Sequence, residues 1–92
     1  MTADDLFDQL RSVCFEKLIR DRHKPDPMSE SVWGIITGGM VECSERFEAF
    51  NRWECDPSEE NRVALEREIA DEVNYLLFLF GKIRGLTALE RP

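Results

Sequence analysis

Apolar residues recur at intervals of three and four in three separate stretches of the chain, divided by polar segments that carry proline. Leu6, Leu10, Val13, Cys14, Phe15, Leu18 and Ile19 form the first stripe, the spacing of an amphipathic helix. Thr2, with Asp5 three residues on, predicts its start as a variant capping box. The segment RDRHKPDP, residues 20–27, predicts its end, because two prolines around an aspartate cannot continue a helix. A second helix is expected from near Asp26 or Ser29 to about Trp53, with Ile36, Met40, Cys43, Phe47 and Phe50 as its packed seam. Gly38 and Gly39 lie inside it, each costing on the order of 1 kcal/mol against alanine. They mark either the close approach of another backbone or ligand, or a kink.

The segment ECDPSEEN punctuates again. Asp56 as N-cap, Pro57 in the first helical position and Glu59 behind it predict a third helix. It runs to about Arg84, with Lys82 and Arg84 in the last turn and Gly85 as the stop. Its seam is Ile69, Val73, Leu76, Phe80 and Ile83. No alternating strand pattern, repeat or low-complexity tract interrupts this reading, which predicts an all-α bundle of three main helices.

At 92 residues the chain is one small domain, residues 1–92. A domain of this size buries only about 60–65% of the surface its unfolded chain exposes, so self-association would add needed burial. Twelve basic against nineteen acidic residues give a formal net charge of −7, which argues against nucleic-acid polymers and anionic membranes as partners. The longest purely apolar run, residues 76–80, is far too short to span a bilayer. Three cysteines without CxxC spacing and an acidic, amphipathic start without signal-peptide character predict a cytoplasmic protein.

Charge also appears where burial is expected. Glu42 and Glu45, three residues apart, share a face of the second helix, and Glu68 and Asp71 have the same spacing on the third. Each pair sits beside an apolar seam. The connection between the helices is short, so they should run antiparallel and bring the pairs face to face. Converging carboxylates repel unless a cation neutralises them, and Mg²⁺ or Mn²⁺ takes such oxygen ligands. The alternative is a solvated acidic face.

VECSERFEAF followed by EREIADEVNYLLFLF resembles the MazG-like nucleotide pyrophosphohydrolases of the all-α NTP pyrophosphatase superfamily. That superfamily carries ExxE on one helix and ExxD on the next, matched here by Glu42-Cys43-Ser44-Glu45 and Glu68-Ile69-Ala70-Asp71. The resemblance covers residues 33–85. It implies a Mg²⁺-dependent enzyme, with Mn²⁺ as a substitute, that cleaves nucleoside triphosphates between the α- and β-phosphates to a monophosphate and pyrophosphate. It implies metal ligation by Glu42, Glu45, Glu68 and Asp71, and a homodimer or homotetramer that completes a four-helix core. Two departures stand out: Val41 replaces a further glutamate that many members carry, and Gly38-Gly39 occupies a usually leucine-rich turn.

A carboxylate not committed to metal would position or deprotonate the attacking water. Glu45 is the first candidate for this role and Glu72 the second. Asn74, Lys82 and Trp33 are candidate substrate contacts, against the plainer roles of surface or interface amide, helix-end cation and core aromatic. The basic cluster Arg20, Arg22, His23 and Lys24 would attract phosphates or make surface ion pairs. Competing readings are a phosphoribosyl-ATP pyrophosphatase, a dUTPase-like relative, and a non-catalytic acidic helical interaction module.

Overall fold

In the computed structural model, which describes residues Met1–Pro92, Thr2 caps the first helix. Its Oγ1 accepts from the Asp5 amide at 3.1 Å, and the Asp5 carboxylate accepts from the Thr2 amide at 3.1 Å. Two otherwise orphaned donors are thereby satisfied. This helix, α1, spans Ala3–Arg20. A 3₁₀ turn over Pro27–Ser29 follows, then α2 at Val32–Cys55 and α3 at Glu59–Ile83. The fold is all-α, and no helix is long and apolar enough to cross a membrane.

Two helix starts differ from expectation for the same reason: a serine nearer the helix supplies the cap. Asp26 caps only the 3₁₀ turn, accepting from the Met28 amide at 2.9 Å, and α2 begins after Ser31, whose Oγ accepts from the Gly34 amide at 3.0 Å. Ser58, not Asp56, caps α3, accepting from the Asn61 amide at 3.2 Å. Asp56 instead closes α2, and its carbonyl accepts from the Asn61 side chain at 2.9 Å. Gly85 takes φ +83° just past α3, a left-handed conformation that suits glycine.

The core is a small cluster of Leu18, Met28, Ile35 and Phe78, with Tyr75, Leu79 and Leu89 packed against it. Tyr75 and Phe78 meet edge to face with centroids 5.6 Å apart, a favoured aromatic geometry. The tail after α3 folds back over this cluster: the Leu89 amide donates to Asp26 Oδ2 at 3.0 Å. Lys82 Nζ donates to the Met28 carbonyl at 2.6 Å, tying α3 to the 3₁₀ turn.

The seam expected on α2 is not the buried one. Met40 is 69% and Phe47 60% exposed, and Cys43 and Phe50 also face outward. The face turned to α3 is instead Ile35, Gly38, Glu42, Arg46 and Ala49, one helical position round. On α3, Leu76, Phe80 and Ile83 of the expected seam are exposed as well. Residues Ala70, Asn74 and Phe78 pack toward α1 and the core, on the opposite side of α3 by helical geometry. Only 9 of 92 residues are buried, so both amphipathic patterns are real but their apolar stripes lie on the surface of the single chain.

Candidate metal centre

Three acids meet where α2 and α3 run side by side. One carboxylate oxygen from each of Glu42, Glu68 and Asp71 lies within 4.8 Å of the others. Glu68 and Asp71 are brought to one side of α3 by their spacing of three, and Glu42 faces them because it lies on the inner stripe of α2. Glu42 Oε2, Glu68 Oε2 and Asp71 Oδ1 are each buried and without a hydrogen-bond partner. Such atoms are uncommon in folded proteins and costly.

The electrostatics follow from this crowding. Burial pushes the Glu42 carboxyl up to about 7, helped by the charges of Glu45, Asp71 and Glu68. Burial also raises Glu68, with Asp71 and Glu45 adding to it. Asp71 is raised by burial against the opposing pull of the Lys17 ammonium. At an effective dielectric constant of about 20, two unit charges at this separation repel by roughly 3 kcal/mol. An all-carboxylate oxygen donor set with unpartnered buried atoms fits a hard divalent cation.

Glu45, the fourth expected ligand, is exposed and stands outside the three-acid cluster, near enough for its charge to act on Glu42 and Glu68. Glu72 forms an ion pair and hydrogen bond with the Arg46 guanidinium, so its charge is engaged away from the cluster. Asn74 is 4% exposed; its Nδ2 donates to the Cys14 carbonyl at 3.2 Å, which leaves Oδ1 buried and unpartnered. Lys82 is engaged with the Met28 carbonyl. Trp33 is 76% exposed and is therefore not a core aromatic.

Beside the acids lies a cavity of ≈ 230 Å³, walled by α1, the loop after it, and the facing sides of α2 and α3. Glu42, Asp71, Asn74 and Tyr75 line it together with Asp21, Glu30 and the cations Lys17, Lys24 and Arg91. Of the basic loop cluster, Lys24 alone reaches this cavity. Lys82 and Trp33 do not line it. Sequence reasoning did not single out Lys17, whose Nζ is 3.6 Å from Asp71 Oδ1. Its signal was position: it precedes Leu18 in the α1 stripe, at the border of the buried face. Arg91 and Tyr75 had no local pattern to mark them.

No known protein family, curated protein or solved structure matches the chain.

Proposed function

We propose that this chain is a divalent-metal-dependent nucleoside triphosphate pyrophosphohydrolase, cleaving between the α- and β-phosphates to release a nucleoside monophosphate and pyrophosphate. The observation that carries the reading is the convergence of three buried, unpartnered carboxylate oxygens from two helices beside a cavity. The ExxE and ExxD spacing and its resemblance to MazG-like enzymes supply the reaction class.

Glu42, Glu68 and Asp71 would hold the metal, with Mg²⁺ the expected ion and Mn²⁺ a substitute. When bound, the metal neutralises phosphate oxygens and lowers the pKa of coordinated water. The chain's own residues provide the remainder. The helix pair fixes the carboxylates before substrate arrives, so little reorganisation is needed. Glu45, exposed and without a cationic partner, would accept a proton from the attacking water. Asn74, held by the Cys14 carbonyl, offers Oδ1 as a fixed acceptor for a nucleoside hydroxyl or amino group.

The cavity is smaller than the ~300 Å³ at the lower end for small-molecule sites, so one chain would enclose only part of a nucleotide. The exposed stripes of α2 and α3 give a second copy of the chain a surface to cover, which would complete a four-helix core. The net charge of −7 and three free cysteines suit a cytoplasmic enzyme.

The test is pyrophosphate release from a panel of ribo- and deoxyribonucleoside triphosphates, with Mg²⁺, with EDTA, and with Glu68→Ala. Metal-dependent release that the variant loses would establish the reaction. Absence of release across the panel, together with no Mn²⁺ binding by calorimetry, would leave an acidic helical interaction module.

A further inference from the structure

Lys17 is the cation of α1 that reaches the acid cluster, and it is shared. Its Nζ lies 3.6 Å from Asp71 Oδ1 and 3.6 Å from Asp21 Oδ2, beyond hydrogen-bond distance in both directions. The ammonium thus balances charge beside Asp71 without satisfying its buried oxygen. Arg46, the other cation between the helices, is engaged by Glu72. Lys17 is left as the cation paired with any member of the three-acid cluster.

We propose that Lys17 is a placeholder cation that becomes a phosphate ligand. In the metal-free chain it stands beside Asp71; once a divalent cation takes Asp71, it is released to the phosphate oxygens of the substrate. The inference rests on the metal-centre reading above and adds a substrate-binding residue to it.

Three features support the exchange. A lysine ammonium is a mobile point charge on a flexible stem, suited to trading one anion for another. Asp21, one helical turn beyond Lys17, keeps the ammonium at the cavity wall when Asp71 is taken. The same cavity is lined by Lys24 and Arg91, which gather with Lys17 around Asp21: Lys24 pairs with its carboxylate at 3.6 Å and Arg91 donates to its carbonyl. Glu30 is a further acid of the wall, so a phosphate chain entering there meets three cations that share one aspartate. Asn74, which lines the same cavity, is an independent sign of a ligand, for its Oδ1 is buried with no donor in the chain. A sugar hydroxyl attached to those phosphates is such a donor.

The experiment compares the full chain with Lys17→Gln at pH 8, where the carboxylates are charged, first by Mn²⁺ calorimetry. Losing a competing cation should tighten Mn²⁺ binding about three- to tenfold. With Mn²⁺ saturating, inorganic tripolyphosphate should bind about tenfold more weakly to the variant, having lost a charged ligand. A residue that merely holds the fold together would weaken both. In the unaltered chain, acylation of the Lys17 amine, read by mass spectrometry, should speed up when Mn²⁺ is added and slow when tripolyphosphate follows. That arm stands even if the variant folds poorly. Unchanged or weaker Mn²⁺ binding by a folded variant overturns the proposal and leaves the metal centre standing. So does unchanged tripolyphosphate binding, or a labelling rate indifferent to metal. An unaltered chain that binds no Mn²⁺ overturns the metal centre and this proposal with it.

Discussion

The ring of Tyr75 rests on the bare backbone of Gly38. A Cβ added to Gly38 would collide with the ring edge at Cε1 and Cζ, whereas one added to Gly39 would meet only Tyr75 Cβ at 3.7 Å, an ordinary contact. The glycine pair within α2 therefore has two different members. Gly38 lets the Tyr75 ring lie between the helices, beside the Leu18–Phe78 cluster and along the cavity wall.

Gly38→Ala is expected to destabilise the fold by about 1–2 kcal/mol, the overpacking cost exceeding the gain in helix propensity. Gly39→Ala is expected to stabilise it by up to about 1 kcal/mol, because the propensity gain meets no clash. Urea denaturation of both variants checks the pair. Similar effects from the two would remove the close contact as the reason for Gly38.

Glu45 and Glu72, the two candidates for handling the attacking water, are separated by their partners. Glu72 is engaged by Arg46, while Glu45 has no cation beside it. Glu45→Gln should lower kcat by about 10²–10⁴-fold, the usual worth of a general base. Glu72→Gln should leave kcat within a few fold and cost at most about 1 kcal/mol of stability, since its ion pair is partly solvated. Steady-state kinetics on whichever triphosphate is turned over decide it; a larger loss from Glu72→Gln would exchange the two roles.

The acid cluster also sets how stability responds to pH. Glu42 is raised from 4.5 to about 7 in the folded chain, and Glu68 and Asp71 are raised too. An acid raised on folding favours the fold while protonated, so its contribution is full below about 4.5 and is lost as pH rises through about 7. Asp5 and Asp26 are lowered by the backbone amides they accept from, so their contribution fades only when pH falls below the usual carboxylate range. The metal-free chain should therefore melt highest in mildly acidic buffer. By pH 8 it should have lost on the order of 1 kcal/mol from Glu42, after allowing for the solvent that reaches the site. Added Mn²⁺ should restore the melting temperature at pH 8 far more than at pH 5, because it binds the ionised carboxylates. A melting temperature that is flat from pH 5 to 8 without metal would falsify this account.

Much of this was legible in the chain, and the failures share one physical source. Helical periodicity gave the number of helices and their approximate spans, because an apolar repeat of three and four needs no knowledge of partners, while the starts of α2 and α3 moved to nearer serine caps. The spacing put Glu42 with Glu45 and Glu68 with Asp71 on facing sides, but only Glu42, Glu68 and Asp71 converge, and Glu45 stays exposed beside them. Periodicity does not say which partner buries a stripe. Met40, Phe47, Leu76 and Phe80 repeat as a core seam does, yet α2 and α3 meet through Gly38, Glu42, Arg46 and Tyr75 instead. Lys17 and Arg91 reach the cavity from elements distant in sequence, and only tertiary structure brings such residues together.

Those outward stripes carry the last prediction. Large apolar side chains exposed along both long helices exceed the scattered singles normal on a monomer's surface. A second copy would cover them, by the same hydrophobic effect that failed to draw them between α2 and α3 within one chain. The chain should therefore sediment as a dimer or tetramer. Phe47→Glu and Leu76→Glu, which place a charge in the middle of each stripe, should shift it toward monomer by at least tenfold in dissociation constant, because a buried unpaired charge is strongly disfavoured. Each variant should keep its helical circular dichroism, since neither side chain belongs to the buried cluster. Analytical ultracentrifugation over a concentration series reads both results. A chain that remains monomeric at high concentration would give the stripes another occupant, and would require the cavity to bind its ligand with one chain's residues alone.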